Sequence, residues 1–245
     1  MSDQVVLYEE RDRVAIITLN RPGKNLFSDE VVQGLHDSLC RLNEGSARAG
    51  VICANGENFT MGADLRAFPK DIARSIPGAG APSGKPLVAA VNGWCLGAAM
   101  TLVQMCDLCV ATETTRFMYP EAKLGVSMGM IAGLAARIPH KVAMEVMLLG
   151  GALPARRAYE VGLVNRLVPE GEQLNAALEY ARALADNSPL VIARLRRLVN
   201  AVVPDSPAVQ AYRLQRELSF MLESDDLKEG MGSIAEKRRA NFVGR

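Results

Sequence analysis

Three stretches of this sequence set small or acidic residues where a chain turns. "NFTMGADL" at 58–65 and "NGWCLGAAM" at 92–100 each place small residues after an apparent strand, where the chain would turn into a helix. The first backbone N–H groups of a helix have no acceptor within it, and the helix dipole favours negative charge there. Two such N–H groups aimed at one point would hold a developing oxyanion. The same residues also suit two tight turns with close packing, because Gly and Ala serve both ends. The third stretch, "YPEAKLGV" at 119–126, carries Glu121 directly after Pro120. On its own this is either a general acid–base or an exposed acid at the start of a helix. Thr101 is not a base at physiological pH; its hydroxyl positions a water, packs, or bonds back to a carbonyl of the previous turn.

Other chemistries find little support. The two histidines, His36 and His140, are not placed beside a nucleophile by anything in the sequence and read as structural. Cys40, Cys53, Cys95, Cys106 and Cys109 form no CxxC pair and no metal-ligand spacing, so buried free thiols in a reducing compartment are expected, and no metal. A net charge of +1 over 245 residues argues against a nucleic-acid partner. The basic runs at 194–197 and 237–239 read as solvated helix faces or a local anion contact. The first fourteen residues lack the positive flank and long apolar core of a signal peptide, and no apolar run reaches a membrane span; a cytoplasmic protein without membrane contact is the expectation.

The elements that must position these residues follow from patterning. Val5–Glu9 and Val14–Leu19 read as strands joined by the charged turn 10–13. A helix follows Ser28, with Asp29 and Glu30 in its first turn, apolar residues at 31, 32, 35, 39 and 42, and Gly45 beyond its end. "AGVICANG" and "PLVAAVNG" read as buried strands ending in Asn-Gly. Between them, three prolines and four glycines predict a mobile surface loop with short helices at 64–67 and 71–75. A helix is expected over 128–138. From Glu172 onward the spacing is helical, broken at "NSP" and "VVPDSP". Strands alternating with helices and then helices alone predict an α/β core, residues 1–190, with a C-terminal helical region, residues 191–245.

Taken together, "MGADL" at 61–65, "KPLVAAVNGWCLGAAMTLVQMCD" at 85–107, "YPEAKLGV", "AYEVGLVNRLVP" at 158–169 and the closing "EGMGSIAEKRRANFVGR" resemble the enoyl-CoA hydratase/isomerase family, the crotonases. The resemblance covers nearly the whole chain in motif order and spacing. It implies a crotonase-like spiral of ββα units, C-terminal helices that pack trimers or dimers of trimers, and an acyl-CoA thioester as substrate, with no cofactor beyond the coenzyme A of that substrate. By motif position the N–H groups of Ala63 and Ala98 would hold the thioester oxygen; Ala98 stands where the family usually has Gly, which restricts the backbone there. By the same resemblance Gly62, Leu65 and Gly97, in the motifs beside this hole, would bind the substrate. Asp64 more readily caps a short helix than joins the chemistry.

The family's hydratases use two glutamates, and the positions that match them here hold Thr101 and Glu121. A paired-carboxylate site orients a water; one carboxylate suffices to carry a proton between carbons two bonds apart. The resemblance therefore implies enoyl-CoA isomerisation with Glu121 as proton shuttle. The alternatives are a hydratase in which Thr101 and Glu121 hold the water, and a crotonase-fold subunit that binds acyl-CoA without efficient turnover. Arg66, Lys70 and Arg74 match a loop that in the family borders the nucleotide end of CoA, and Lys237 and Phe242 match a C-terminal segment that approaches it. Judged by the resemblance, the 66–84 loop is shorter than usual, which implies a more open or differently shaped acyl pocket. Met61, Trp94, Met100, Met118, Met128 and Met130 lie in or beside the motifs and suit either a broad apolar cavity or ordinary core.

Overall fold

A computed structural model describes residues 4–245, apart from the side chains of residues 217–222. Strands β1 (Val6–Arg11) and β2 (Val14–Leu19) form a hairpin with Arg11 opposite Val14. Its turn is only Asp12-Arg13, both at positive φ, the two-residue geometry that matches strand twist. The pairing of Glu10 with Ala15 thus carries the strand into the expected turn.

Helix α1 (Asp29–Glu44) starts where its cap predicts: Ser28 Oγ accepts from the Val31 N–H, and the Gly45 N–H closes the far end on the Arg41 carbonyl. All five apolar positions picked out by spacing are buried.

Strands β3 (Ala49–Ala54), β4 (Leu87–Val91), β6 (Leu108–Thr112) and β9 (Arg166–Val168) continue from β2 as parallel neighbours in the order β1-β2-β3-β4-β6-β9. Alternate residues face opposite layers, as the pleat requires. Ile17, Ile52 and Ala89 meet the α1 side of the core, whereas Ile16, Val51 and Val88 pack with Ala177 and Ala181 of α6 (Gln173–Asp186). Both faces are covered, which explains the unbroken apolar runs.

A second sheet, β5 (Trp94–Leu96), β7 (Arg116–Met118) and β8 (Ala152–Pro154), was not visible in the patterning. After β4 and after β6 the chain crosses into this sheet and then enters a short helix: α2 (Ala98–Gln104) after β5, α3 (Glu121–Leu124) after β7. These are two ββα units side by side, with β5 and β7 paired from Trp94–Arg116 to Leu96–Met118. That pairing sets the start of α2 beside the start of α3.

Short helices α4 (His140–Met144) and α5 (Ala155–Glu160) lead to β9. The chain closes with α7 (Pro189–Val202), α8 (Pro207–Glu223) and α9 (Asp225–Ala235), the breaks falling at "NSP" and "VVPDSP". Asp205, in the second break, accepts ion pairs from Arg137 at 3.2 Å and Arg213 at 2.6 Å, tying this part to the core.

Two expectations are met only in part. The 66–84 segment is not a surface loop throughout: Ile72, Ala73, Ile76, Ala79 and Ala81 are buried, and its helix is one 3₁₀ turn, Ile72–Ser75. Its prolines and glycines make the backbone irregular, but its apolar side chains still pack on the α1 side of the core. No helix forms at 64–67. The stretch expected as helix over 128–138 is a 3₁₀ helix over Met130–Ala136. Among the described residues no helix is long and apolar enough to cross a membrane.

Candidate active site

The segment before Ala63 is held from two sides. The Thr60 N–H donates to the Trp94 carbonyl at 2.9 Å and the Leu96 N–H donates to Thr60 at 3.2 Å, which sets 60–63 alongside β5. On its other side the Phe27 N–H donates to Gly62 and the Asp64 N–H to Phe27, both at 2.9 Å. In a strand, neighbouring peptide groups point oppositely, so the pairing of residues 62 and 64 with Phe27 turns the Ala63 N–H away from it. No described residue accepts from that N–H. Gly62 (φ 94) passes Leu96 closely; a Cβ there would lie 3.5 Å from Leu96 Cβ.

Ala98 opens α2, so its N–H has no acceptor within the helix, and among the described residues none is found outside it. Its φ is not positive, and Ala in place of Gly costs the backbone nothing. The unusual conformation belongs to Gly97, at φ 60 and ψ −123. Ala63 and Ala98, whose N–H groups have no acceptor among the described residues, thus line one cleft. The geometry of the first differs from expectation: Ala63 lies on a bridged extended segment, not at a helix start. Asp64 correspondingly caps a bend, its Oδ1 accepting from the Arg66 N–H at 3.0 Å.

Glu121 is the first residue of α3 and lies across Gly97, where a Cβ would come 2.9 Å from Glu121 Oε1. Its Oε2 is buried without a hydrogen-bond partner among the described residues. Burial disfavours the charged form and raises the carboxyl to about 7, outweighing the opposing bond from its own backbone N–H. Such a group is both acid and base near neutral pH. Thr101 lies one turn into α2, only 2 % exposed, and also lines the cleft. Its hydroxyl makes no hydrogen bond among the described residues, so the bond back to the previous turn is not made.

The cleft has a volume of about 200 Å³ and is mostly apolar. Of the residues singled out in the sequence, Gly62, Ala63, Leu65, Gly97, Ala98, Thr101 and Glu121 line it, as do Met61, Met128 and Met130. Asp64, Arg66, Lys70 and Arg74 do not, nor do Trp94, Met100 and Met118. Lys237 and Phe242 are exposed on the C-terminal tail, which folds back on α9 through Asp226 and Glu229; in the single chain neither reaches the cleft. Sequence reasoning missed Tyr119 and Ser127, whose hydroxyls lie 3.3 Å apart on the cleft wall, and the apolar Phe68, Ile72, Leu124 and Val126. An aromatic residue just before "PE" was the available signal for Tyr119.

His36 Nδ1 pairs with the Arg74 carbonyl, a structural role. The five thiols are free, and burial pushes those of Cys95 and Cys106 well up, away from reactivity. Among the described residues no cluster of His, Cys, Asp and Glu could hold a metal.

Residues 79–245 match the Enoyl-CoA hydratase/isomerase family. The chain belongs to that family. An enoyl-CoA hydratase of Mycobacterium tuberculosis is 31% identical over 98% of this chain and 96% of its own length. The 2,3-dehydroadipyl-CoA hydratase of Escherichia coli is 33% identical over 100% of both. The crystal structure of a probable enoyl-CoA hydratase/isomerase from Mycobacterium abscessus is 36% identical, covers 100% of both chains and superposes with a TM-score of 0.77. The fold is therefore that of the crotonases, as the resemblance implies, and the protein is an acyl-CoA enzyme of the hydratase/isomerase family.

Proposed function

We propose that this enzyme shifts the double bond of an enoyl-CoA from the β,γ to the α,β position, with Glu121 carrying the proton. The observation that carries this reading is that Glu121 is the only carboxylate lining the cleft among the described residues. The thioester oxygen accepts from the N–H groups of Ala63 and Ala98. Ionised Glu121 takes a proton from the α-carbon, and the electron pair moves through the carbonyl to leave an enolate oxygen facing those donors. Glu121, now protonated, returns the proton to the γ-carbon as the enolate collapses and the α,β double bond forms. Thioester and enzyme are otherwise unchanged, and no cofactor is needed beyond the coenzyme A of the substrate.

A second reading, hydration of a 2-enoyl-CoA, is favoured by the unpartnered Thr101 hydroxyl on the cleft wall and by the hydratase names of the relatives. Incubation with a 3-enoyl-CoA and a 2-enoyl-CoA separately decides between them. Conversion of the first with negligible hydration of the second is the expected result. Rapid hydration would sink the isomerase reading, and binding of both without turnover would favour a non-catalytic acyl-CoA-binding protein.

The trimer, or dimer of trimers, belongs to the same proposal. It is supported by the apolar side chains that α7 and α9 leave exposed, Leu190, Leu195, Val202, Met231 and Ile234 among them. Sedimentation velocity is expected to give a species of three or six chains; a monomer at micromolar concentration would reject it.

A further inference from the structure

Resting on the acyl-CoA site proposed above, we infer that the acyl group is an uncharged hydrocarbon group larger than four carbons, covered at its far end by the apolar rim of the cleft. Four side chains carry this. Leu65, Phe68, Leu124 and Val126 line the same cleft as Glu121, yet are 68%, 47%, 53% and 43% exposed. Exposed apolar residues scattered singly need no explanation, but four around one opening form a surface that a ligand covers. They come from two separate parts of the chain, the segment after Ala63 and the α3 region. Below the rim the floor is already closed by buried Ile72 and Met130. A four-carbon acyl group held with its thioester at Ala63 and Ala98 and its α-carbon at Glu121 would leave the rim in water. A longer one covers it, and Met61 and Met128 beside it are flexible enough to fit varied shapes.

Charge decides the chemical class. Among the described residues no Lys, Arg or His lines the cleft, so a distal carboxylate on the acyl chain would be desolvated without a counterion. Among the described residues Glu121 is the only anion there, and in the proposed reaction it is engaged at the reacting carbons, which leaves nothing to pair with a distal ammonium. The Tyr119 and Ser127 hydroxyls bond to each other and present little polar surface to a chain passing them.

Saturated CoA esters test this without turnover. Calorimetric Kd values are compared for butyryl-CoA, octanoyl-CoA and an octanoyl-CoA bearing a terminal carboxylate, on the wild type and on Phe68→Ser/Leu124→Ser. Affinity is expected to rise about fourfold per added methylene between the first two esters, the transfer value for a buried CH₂. The terminal carboxylate should cancel that gain, and the double variant should lose about tenfold for octanoyl-CoA relative to butyryl-CoA. Equal affinity for butyryl-CoA and octanoyl-CoA overturns the inference, as does tighter binding of the carboxylated ester. A double variant that changes its oligomeric state in sedimentation but keeps the chain-length gain also overturns it, since the rim would then be a subunit contact. A flat series with intact isomerisation rejects only the acyl class; a rising series without isomerisation rejects only the reaction.

Discussion

Glu121→Gln is expected to lower kcat/KM on a 3-enoyl-CoA by about a hundred- to ten-thousandfold, the usual span for losing a general acid–base group. Gln fills the same space over Gly97 and should leave acyl-CoA affinity within a few-fold, so the loss should fall on kcat. The pH profile supplies the stricter reading. The carboxyl is raised to about 7 because burial penalises its charged form, and the base in this reaction is that charged form. Wild-type kcat/KM should therefore rise with pH through about 7 and level off above it, and the residual activity of the variant should lack this limb. A limb near 4.5 would mean that Glu121 is not desolvated, and full activity in the variant would remove it from the mechanism.

The same carboxyl should leave a mark on stability. An acid whose folded-state value lies above its unfolded one binds more protons in the folded state between the two values. Stability therefore falls as pH rises from about 4.5 to about 7, and the cost of the buried charge persists above that window. Gln carries no such cost, so the variant should be more stable than the wild type at pH 8 by about 1 kcal/mol, after allowing for solvent reaching a half-buried group, and equal to it at pH 4. Urea denaturation at both pH values reads the difference; equal stability at pH 8 would contradict the desolvation. Activity and stability should move in opposite directions, as expected where a site holds a charge that the fold would rather exclude.

What the sequence disclosed divides along physical lines. Ser28 and its acidic neighbours marked α1 because a cap is a local hydrogen bond, here Ser28 Oγ to the Val31 N–H. β3 and β4 were legible because burial on both faces demands continuous apolar runs. The second sheet was not legible. Each of its strands has three residues, too few for an alternation, and each is held by partners far away in sequence, such as Trp94 by Arg116 and Phe117 by Leu153. The 66–84 segment failed for another reason: Pro and Gly report irregular backbone and say nothing of burial, and only Ile72 and Ile76 hinted that the segment turns inward. In the site, Glu121, Ala63 and Ala98 came from motif positions, and the structure brings them to one cleft. The departure at Ala98 carried no penalty because the strained position is one residue earlier. Tyr119, Ser127 and the rim stayed hidden because cleft walls assemble from separate segments without a shared local pattern.

That strained position gives the second large effect. Gly97→Ala should lower both stability and turnover, for two causes that can be separated. At φ 60 and ψ −123 the backbone adopts a conformation that L side chains rarely take, which costs about 1–3 kcal/mol wherever it occurs. In a chain of this length that corresponds to a fall in Tm of roughly 2–4 °C per kcal/mol. The new Cβ would also stand 2.9 Å from Glu121 Oε1, and the carboxylate, as the free end of a side chain, yields more readily than the backbone. The Gly97 N–H donates to the Met118 carbonyl at 2.9 Å, which holds this point of the chain against β7 and leaves it little room to relax. The displaced carboxylate should lose its alignment with the α-carbon, lowering kcat by about tenfold or more while KM changes little. Gly162→Ala is the control. Gly162 also has positive φ, at 82, but a Cβ there meets nothing within 4 Å. It should therefore lose stability to backbone strain and keep its turnover. If Gly97→Ala matched Gly162→Ala in both Tm and kcat, the contact between Gly97 and Glu121 would have no part in placing the proton shuttle, and the hold on Glu121 would have to come from α3 alone.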